Sequence, residues 1–340
     1  MLTSTRVVVA DRGDAGRRLD LVVRRHLSDV ATATRTRVQR WIENGRVTVN
    51  GRPVRRVAAR AALGDHVAVA LPDVRPRGAM TAEDVPLDIV YEDESLLAID
   101  KPAGMVVHPA YKNATGTVMN ALLWHARRWP SGMRPSIVGR LDKLTSGIVI
   151  VAKTAAMHAA LQRELAAPDA DKDYLAVVYG RVRVARGRID FRLSKDQRDR
   201  RRVVASRDVG APSVTRFERL ACSPAPRAGL ALLCCSLATG RAHQIRVHLA
   251  ARGWPLVGDP TYGEPRCQTC HAPLTPCGCR IVDPALAAVL RAFGRQALHA
   301  WRIAFTHPAT RARFVVQAPL PRDIEQLLAA TGLAAGLNNS

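Results

Sequence analysis

Within AGRRLDLVVRRHL, Leu19, Val22, Val23 and Leu27 recur at helical spacing with arginines between them, which predicts an amphipathic helix. RTRVQRWIENG predicts a second helix, stopped at Asn44-Gly45. RVTVNGRPV then alternates as two short strands about an Asn50-Gly51 turn, and VAARAALGDHVAVALP adds a turn at Gly64-Asp65 and one more strand. Residues 15 to 71 therefore read as a small α/β module. Residues 72 to 86, PDVRPRGAMTAEDVP, are proline-rich, polar and without period, and read as a linker.

From residue 87 the pattern is mostly that of strands. Two apolar runs flank Glu92-Asp93-Glu94, and Lys101-Pro102-Ala103-Gly104 breaks the second of them. Helices are expected over 115 to 126 and through AAMHAALQRELAA. KDYLAVVYGRV reads as a strand whose alternation puts Lys172 and Tyr174 on one face. Residues 187 to 207 suggest a hairpin or loop, 213 to 220 and 230 to 238 read as strands, and a Gly240 turn precedes a helix carrying His243, Arg246 and His248. ALHAWRIAFTHP and ARFVVQAPLP form a closing hairpin, followed by a short helix from Arg322 and a tail over 326 to 340. Many strands, few helices and no regular βαβ alternation imply an α+β protein, with a mixed, mostly antiparallel sheet domain over 87 to 325.

Charge adds a partner to this picture. The chain of 340 residues carries 51 basic and 29 acidic side chains, a net +22. The charge is clumped, with twelve arginines against three acids over 17 to 60, and eleven basic residues against three acids over 181 to 207. A basic surface of that density points to nucleic acid. No apolar run approaches the roughly 20 residues of a membrane helix, and the amino-terminal run is too short for a secretory signal. A cytoplasmic monomer without membrane contact is expected. Seven cysteines without a signal argue against a disulfide framework.

The candidate chemistry centres on VGRLDKLTSGIVIVAKT, residues 138 to 154, where Asp142 precedes a Thr-Ser-Gly turn and an apolar strand. A carboxylate there is either a turn cap or a reactive group, and a reactive one needs a cation beside it. Arg140 and Arg246 are the candidates. Tyr174 offers a ring able to stack on a base and to donate or accept a proton, and His108, before a proline, reads as a supporting group. There is no dinucleotide loop, phosphate loop, HExxH or GxSxG elbow.

GRLDKLTSGIVIVAKT resembles the signature of the RluA family of pseudouridine synthases. LLAIDKPAGMVVHP before it, and KDYLAVVYG, TGRAHQIRVHLA and GDPTYG after it, follow in the family's order. GRRLD, RVQRWIENG and VTVNG resemble the S4-like RNA-binding module, although Thr34-Arg35-Thr36-Arg37 stands where that module usually has Ser-Arg. The resemblance implies a pseudouridine synthase fold and isomerisation of uridines in RNA without a cofactor. It implies Asp142 as the catalytic aspartate, Arg246 as its ion-pair partner and Tyr174 as the ring that stacks on the uracil and is able to move a proton. Arg140, Lys172 and His108 in the large domain, and Arg17, Arg18, Arg37 and Arg40 in the module, are the expected RNA contacts. Where the family commonly has histidine before Arg-Leu-Asp, this chain has Gly139.

Large-subunit ribosomal RNA is the expected substrate, with transfer RNA or a non-catalytic role in RNA binding or ribosome assembly as alternatives. Over 264 to 282, CQTCHAPLTPCGC places Cys267, Cys270, Cys277 and Cys279 at a spacing that suits a structural zinc knuckle. A loop of unpaired thiols is the alternative.

Overall fold

A computed structural model describes residues 5–28, 30, 33–71, 80–109, 113–180, 182–223, 229–263 and 284–337. The chain divides into two compact units, residues 1–80 and 81–340. The cysteine cluster lies outside the described residues.

The first unit contains β1 (Thr5–Val9), α1 (Leu19–His26), α2 (Arg35–Glu43), β2 (Val47–Val49), β3 (Arg52–Pro53) and β4 (His66–Ala70). Its antiparallel sheet runs β1-β4-β2-β3. Strand β1 places the start of the module before residue 15, the boundary expected from its first helix. The apolar stripe of α1 and Val38, Trp41 and Ile42 of α2 pack on Val47, Val67 and Val69. Gly45 ends α2 in a left-handed conformation (φ 70°), where the Gly45 and Arg46 amides reach the Ile42 and Trp41 carbonyls at 2.9 and 2.8 Å. Asn50 and Gly51 both have positive φ, as a tight two-residue hairpin requires.

Asp11, Asp14 and His26 converge in this unit closely enough to suggest a metal. A cation is already present, because one Arg25 nitrogen bonds Asp11 and Asp14 at 2.8 and 2.7 Å. Burial raises the Asp14 carboxyl pKa, but hydrogen bonds from His26 and Arg25 outweigh that and hold it down to about 2.

The second unit contains β5 (Asp88–Glu92), β6 (Leu96–Lys101), α3 (Val118–His125), β7 (Ser136–Val138), β8 (Ser146–Ala152), α4 (Ala155–Glu164) and β9 (Asp171–Tyr179). It continues with β10 (Arg186–Lys195), β11 (Val203–Ser206), β12 (Ala211–Cys222), β13 (Leu230–Leu237), α5 (Gln244–Ala251), α6 (Pro284–Ala292), β14 (Leu298–Thr306), β15 (Arg313–Gln317) and α7 (Arg322–Thr331). Eleven strands form one sheet in the order β11-β10-β12-β13-β9-β14-β8-β6-β5, with β15 paired to β14 and β7 to β8. Among the described residues, every strand pairing is antiparallel except β14 with β8.

Both faces of the sheet's central strands are covered. On β8, Ile148 and Ile150 pack with Leu161 of α4, while Val149 and Val151 pack with Val118 and Leu122 of α3. On β9, Leu175 and Val177 face α6 and α7, while Ala176 and Val178 face Ile245 and Leu249 of α5. A strand buried on both faces has no polar side, which is why residues 148 to 152 form one continuous apolar run.

Two boundaries move from their sequence-based positions. Residues 81 to 86 belong to the second unit: the Glu83 amide donates to the Asn120 carbonyl (3.0 Å), and the Asn120 side chain donates to the Thr81 carbonyl (2.7 Å). The expected tail from 326 begins inside α7, whose Leu327 and Leu328 are core residues, and Leu333 beyond the helix is buried as well.

Candidate active site

Asp142 lies in the loop from β7 to β8, and the residues after it are each held by a different neighbour. The Thr145 amide donates to the Asp142 carbonyl at 3.1 Å, closing the turn. Gln296 donates its side-chain amide to the Thr145 hydroxyl (3.0 Å), and Ser146 Oγ and His299 Nδ1 share a hydrogen bond of 2.9 Å. Gly147 has φ 113° and runs so close to β14 that a Cβ there would strike the Ala300 backbone. Gly147→Ala is therefore expected to lower stability by about 2 kcal/mol or more, since both the left-handed backbone and the overlap oppose a side chain. A urea midpoint checks this, and an unchanged midpoint would contradict the packing described.

Lys101, at the end of β6, is fully buried. Its ammonium donates to the carbonyls of Pro102 (2.8 Å), Met105 (3.0 Å) and Lys143 (3.3 Å). The Gly104 amide donates to the Lys143 carbonyl as well (2.8 Å). One cation thus ties the Lys-Pro-Ala-Gly turn to the Asp142 loop. Burial, then the Arg295 charge, push the Lys101 pKa down to about 8, against the opposing pull of Asp142 and Asp100.

Helix α5 brings up the partner of the carboxylate. Buried Gln244 anchors its first turn, accepting from the Thr239 hydroxyl (2.8 Å) and the Arg241 amide (3.0 Å) and donating to the Val214 carbonyl (2.9 Å). Two residues on, Arg246 donates from Nη1 to Asp142 Oδ2 at 2.8 Å. Its other edge forms a fork to Asp259, Nε to Oδ2 at 2.7 Å and Nη2 to Oδ1 at 2.8 Å. The Thr261 and Tyr262 amides also donate to Asp259 Oδ1 (2.8 and 3.0 Å). Burial disfavours the Arg246 charge, but its bonds to Asp259 and Asp142 outweigh that and raise its pKa. Burial likewise raises the Asp259 pKa, and Arg246 more than reverses it. The planar fork leaves the guanidinium one free corner, and that corner fixes Asp142.

His243 caps α5 from a left-handed backbone (φ 54°, ψ 19°), an uncommon conformation for a histidine. Its Nδ1 lies 2.9 Å from the Tyr262 hydroxyl, which accepts the Val203 amide at 2.8 Å, and its Nε2 lies 3.8 Å from Asp142 Oδ1. Tyr174 stands on β9 opposite Ala300 of β14. Burial, and then the Asp142 charge, raise its pKa, so the phenol stays neutral.

The remaining sequence candidates are distributed unevenly. Arg140 is exposed and forms no ion pair among the described residues. His108 is near enough to feel it: partial burial first, and the Arg140 charge second, lower the His108 pKa. Lys172 is occupied elsewhere, its ammonium donating to the Leu165 carbonyl at the end of α4 (2.9 Å). In the first unit Arg17, Arg37 and Arg40 are exposed, whereas Arg18 is turned onto buried Asp20 at 2.9 Å. His248 is a core side chain, bonded through Nε2 to the Ser213 hydroxyl at 3.0 Å, with burial pushing its pKa to about 4.

The site thus holds an aspartate bonded by a buried arginine, near a neutral tyrosine. The RNA pseudouridylate synthase family profile matches residues 95–251, and the S4 domain profile matches residues 17–67. The ribosomal large subunit pseudouridine synthase D of Neisseria meningitidis serogroup B is 39% identical over 326 residues, 96% of this chain and 82% of that protein. The chain belongs to the RluA family of RNA pseudouridine synthases. It is thus an isomerase that acts on RNA. The protein of the same name from Xanthomonas campestris pv. campestris is 39% identical over 332 residues, covering 96% of this chain and 93% of that one. The structure of human RNA pseudouridylate synthase domain containing 4 superposes with a TM-score of 0.54 at 21% identity, over 72% of this chain and 92% of that one, and shares its fold.

His243, Asp259, Tyr262, Lys101 and Gln296 had no assigned place in the site from sequence. The first three lie in TGRAHQIRVHLA and GDPTYG, strings whose position in the family order was visible while their contacts were not. Lys101 carried a signal of its own, as one of only six lysines among 51 basic residues.

Proposed function

We propose that this synthase converts uridine to pseudouridine in large-subunit ribosomal RNA, with Asp142 as the catalytic aspartate. The observation that carries the reading is the Asp142–Arg246–Asp259 chain, which leaves Asp142 Oδ1 as the carboxylate oxygen not bonded by Arg246. A uridine stacked in RNA cannot present C1′ and C5 to one oxygen, so the nucleotide is turned out at a cost of about a few kcal/mol. Arginine contacts to phosphate supply that energy, and the Tyr174 ring replaces the lost stacking. The N1–C1′ bond then breaks, the uracil turns while held, and C5 joins C1′. Fixing the carboxylate before substrate arrives is what makes such a site fast.

The choice of RNA rests on the S4 unit and on relatives named for the large ribosomal subunit. Exposed Arg17, Arg37 and Arg40 provide that unit with phosphate contacts, and exposed Arg140 provides one beside Asp142. Pseudouridine mapping in cells with and without the gene tests the assignment. Loss of one or a few pseudouridines in large-subunit RNA is expected, and losses confined to transfer RNA would replace the substrate while leaving the chemistry.

A further inference from the structure

Isomerisation has one proton to move. After C5 bonds to C1′, the adduct carries hydrogen on C5 and a C6=N1 double bond. Loss of that proton restores C5=C6, the electron pair passes to N1, and N1 must then be protonated. Some group near Asp142 has to take a proton and give it back.

We propose that His243 is this group: its Nε2 takes the proton from C5 and returns it to N1. This rests on the reading of Asp142 as the catalytic aspartate, and it adds a second catalytic residue. Nε2 lies 3.8 Å from Asp142 Oδ1, the oxygen not bonded by Arg246 and therefore the one open to the sugar. A base held at Oδ1 comes within reach of that nitrogen. The ring is aimed by its other edge: in the tautomer the proposal requires, Nδ1 carries the proton and donates it to the Tyr262 hydroxyl oxygen, which also accepts the Val203 amide, and this leaves Nε2 free to accept. The left-handed backbone at His243 is a strained conformation of the kind that gathers at functional sites.

Other nearby groups are less suited to the task. Tyr174 holds its proton too tightly to act as a base, the Lys101 ammonium is spent on three carbonyls, and Arg246 stays charged. The groups facing His243 are Asp142, Arg246, Asp259, Arg140 and Tyr262. Burial is the largest influence and lowers its pKa below the ordinary 6.5, the Asp142 charge opposing it and Arg246 assisting. The imidazole is therefore neutral and able to accept a proton at neutral pH, while a proton taken from C5 is stabilised by Asp142.

The test compares full-length wild type with His243→Asn, which tolerates the left-handed backbone and keeps a polar group towards Tyr262. The substrate is an RNA carrying uridine deuterated at C5. His243→Asn is expected to lower kcat about 100-fold or more, to bind RNA as wild type does, and to show a primary isotope effect larger than the wild-type one. Wild-type kcat should rise with pH through the His243 pKa, and that acid limb should vanish in the variant. A wild-type rate in the variant overturns the proposal. So does a slow variant with an unchanged isotope effect and an unchanged acid limb, which would make His243 a positioning residue. If Asp142→Asn were active in the same assay, the underlying reading would fail instead, which keeps the two failures distinct.

Discussion

Arg246→Gln is expected to lose about 3–5 kcal/mol of stability at neutral pH and at least 100-fold in kcat. The side chain is 5% exposed and connects two carboxylates, one of them, Asp259, with no exposed side-chain surface. Removing the cation leaves that carboxylate buried and uncompensated, the costly way to break an internal ion pair. The pH dependence follows from Asp259, whose folded pKa lies below its ordinary 3.8 because of Arg246. A depressed carboxylate contributes stability above its unfolded pKa and loses it as pH falls through the folded one. The variant lacks that contribution, so its deficit should be greatest at neutral pH and shrink in acid, as urea midpoints at several pH values would show. Adding Asp259→Asn should recover stability without recovering activity, because the bond to Asp142 stays missing and a carboxylate displaced by about 1 Å costs on the order of 100-fold in rate. A neutral-pH midpoint equal to wild type would contradict this role.

The elements were legible in the sequence wherever a local rule decides them. The Asn44-Gly45 cap, the Asn50-Gly51 turn and the stripe of α1 follow from backbone preference and period, and each stands where expected. β1 was not foreseen, since a five-residue strand before a polar turn has no local signal and forms by pairing with β4, some 60 residues on. The same holds inside the site. Thr145, Ser146 and Gly147 read as a turn, yet their positions are set by Gln296, just before β14, and by His299 and Ala300 on it, about 150 residues later. Ordered motifs brought Asp142 and Arg246 together before any geometry was known. Asp259 escaped because nothing local tells a carboxylate that caps a turn from one that also clamps an arginine.

Lys172 shows the opposite failure. Alternation correctly put it on the face of Tyr174, but a long side chain can turn along the strand to a helix end, and this one does. Gly139 has a physical reading of its own. Its φ of 90° favours glycine, although the space around it is open, so an imidazole at this position would fit only at a backbone cost.

The central claim is that the Asp142 carboxylate performs the exchange. Asp142→Asn keeps the shape of the side chain and an oxygen for Arg246 to bond, and removes only the charge and the reactivity. Pseudouridine formed in a ribosomal RNA fragment by wild type and by Asp142→Asn, at matched RNA occupancy, is the deciding measurement. The account predicts a loss of at least about 10⁴-fold in the variant, the scale at which enzymes lose rate when the bond-making group is removed, with RNA affinity unchanged. Conversion by the variant within tenfold of wild type would contradict it.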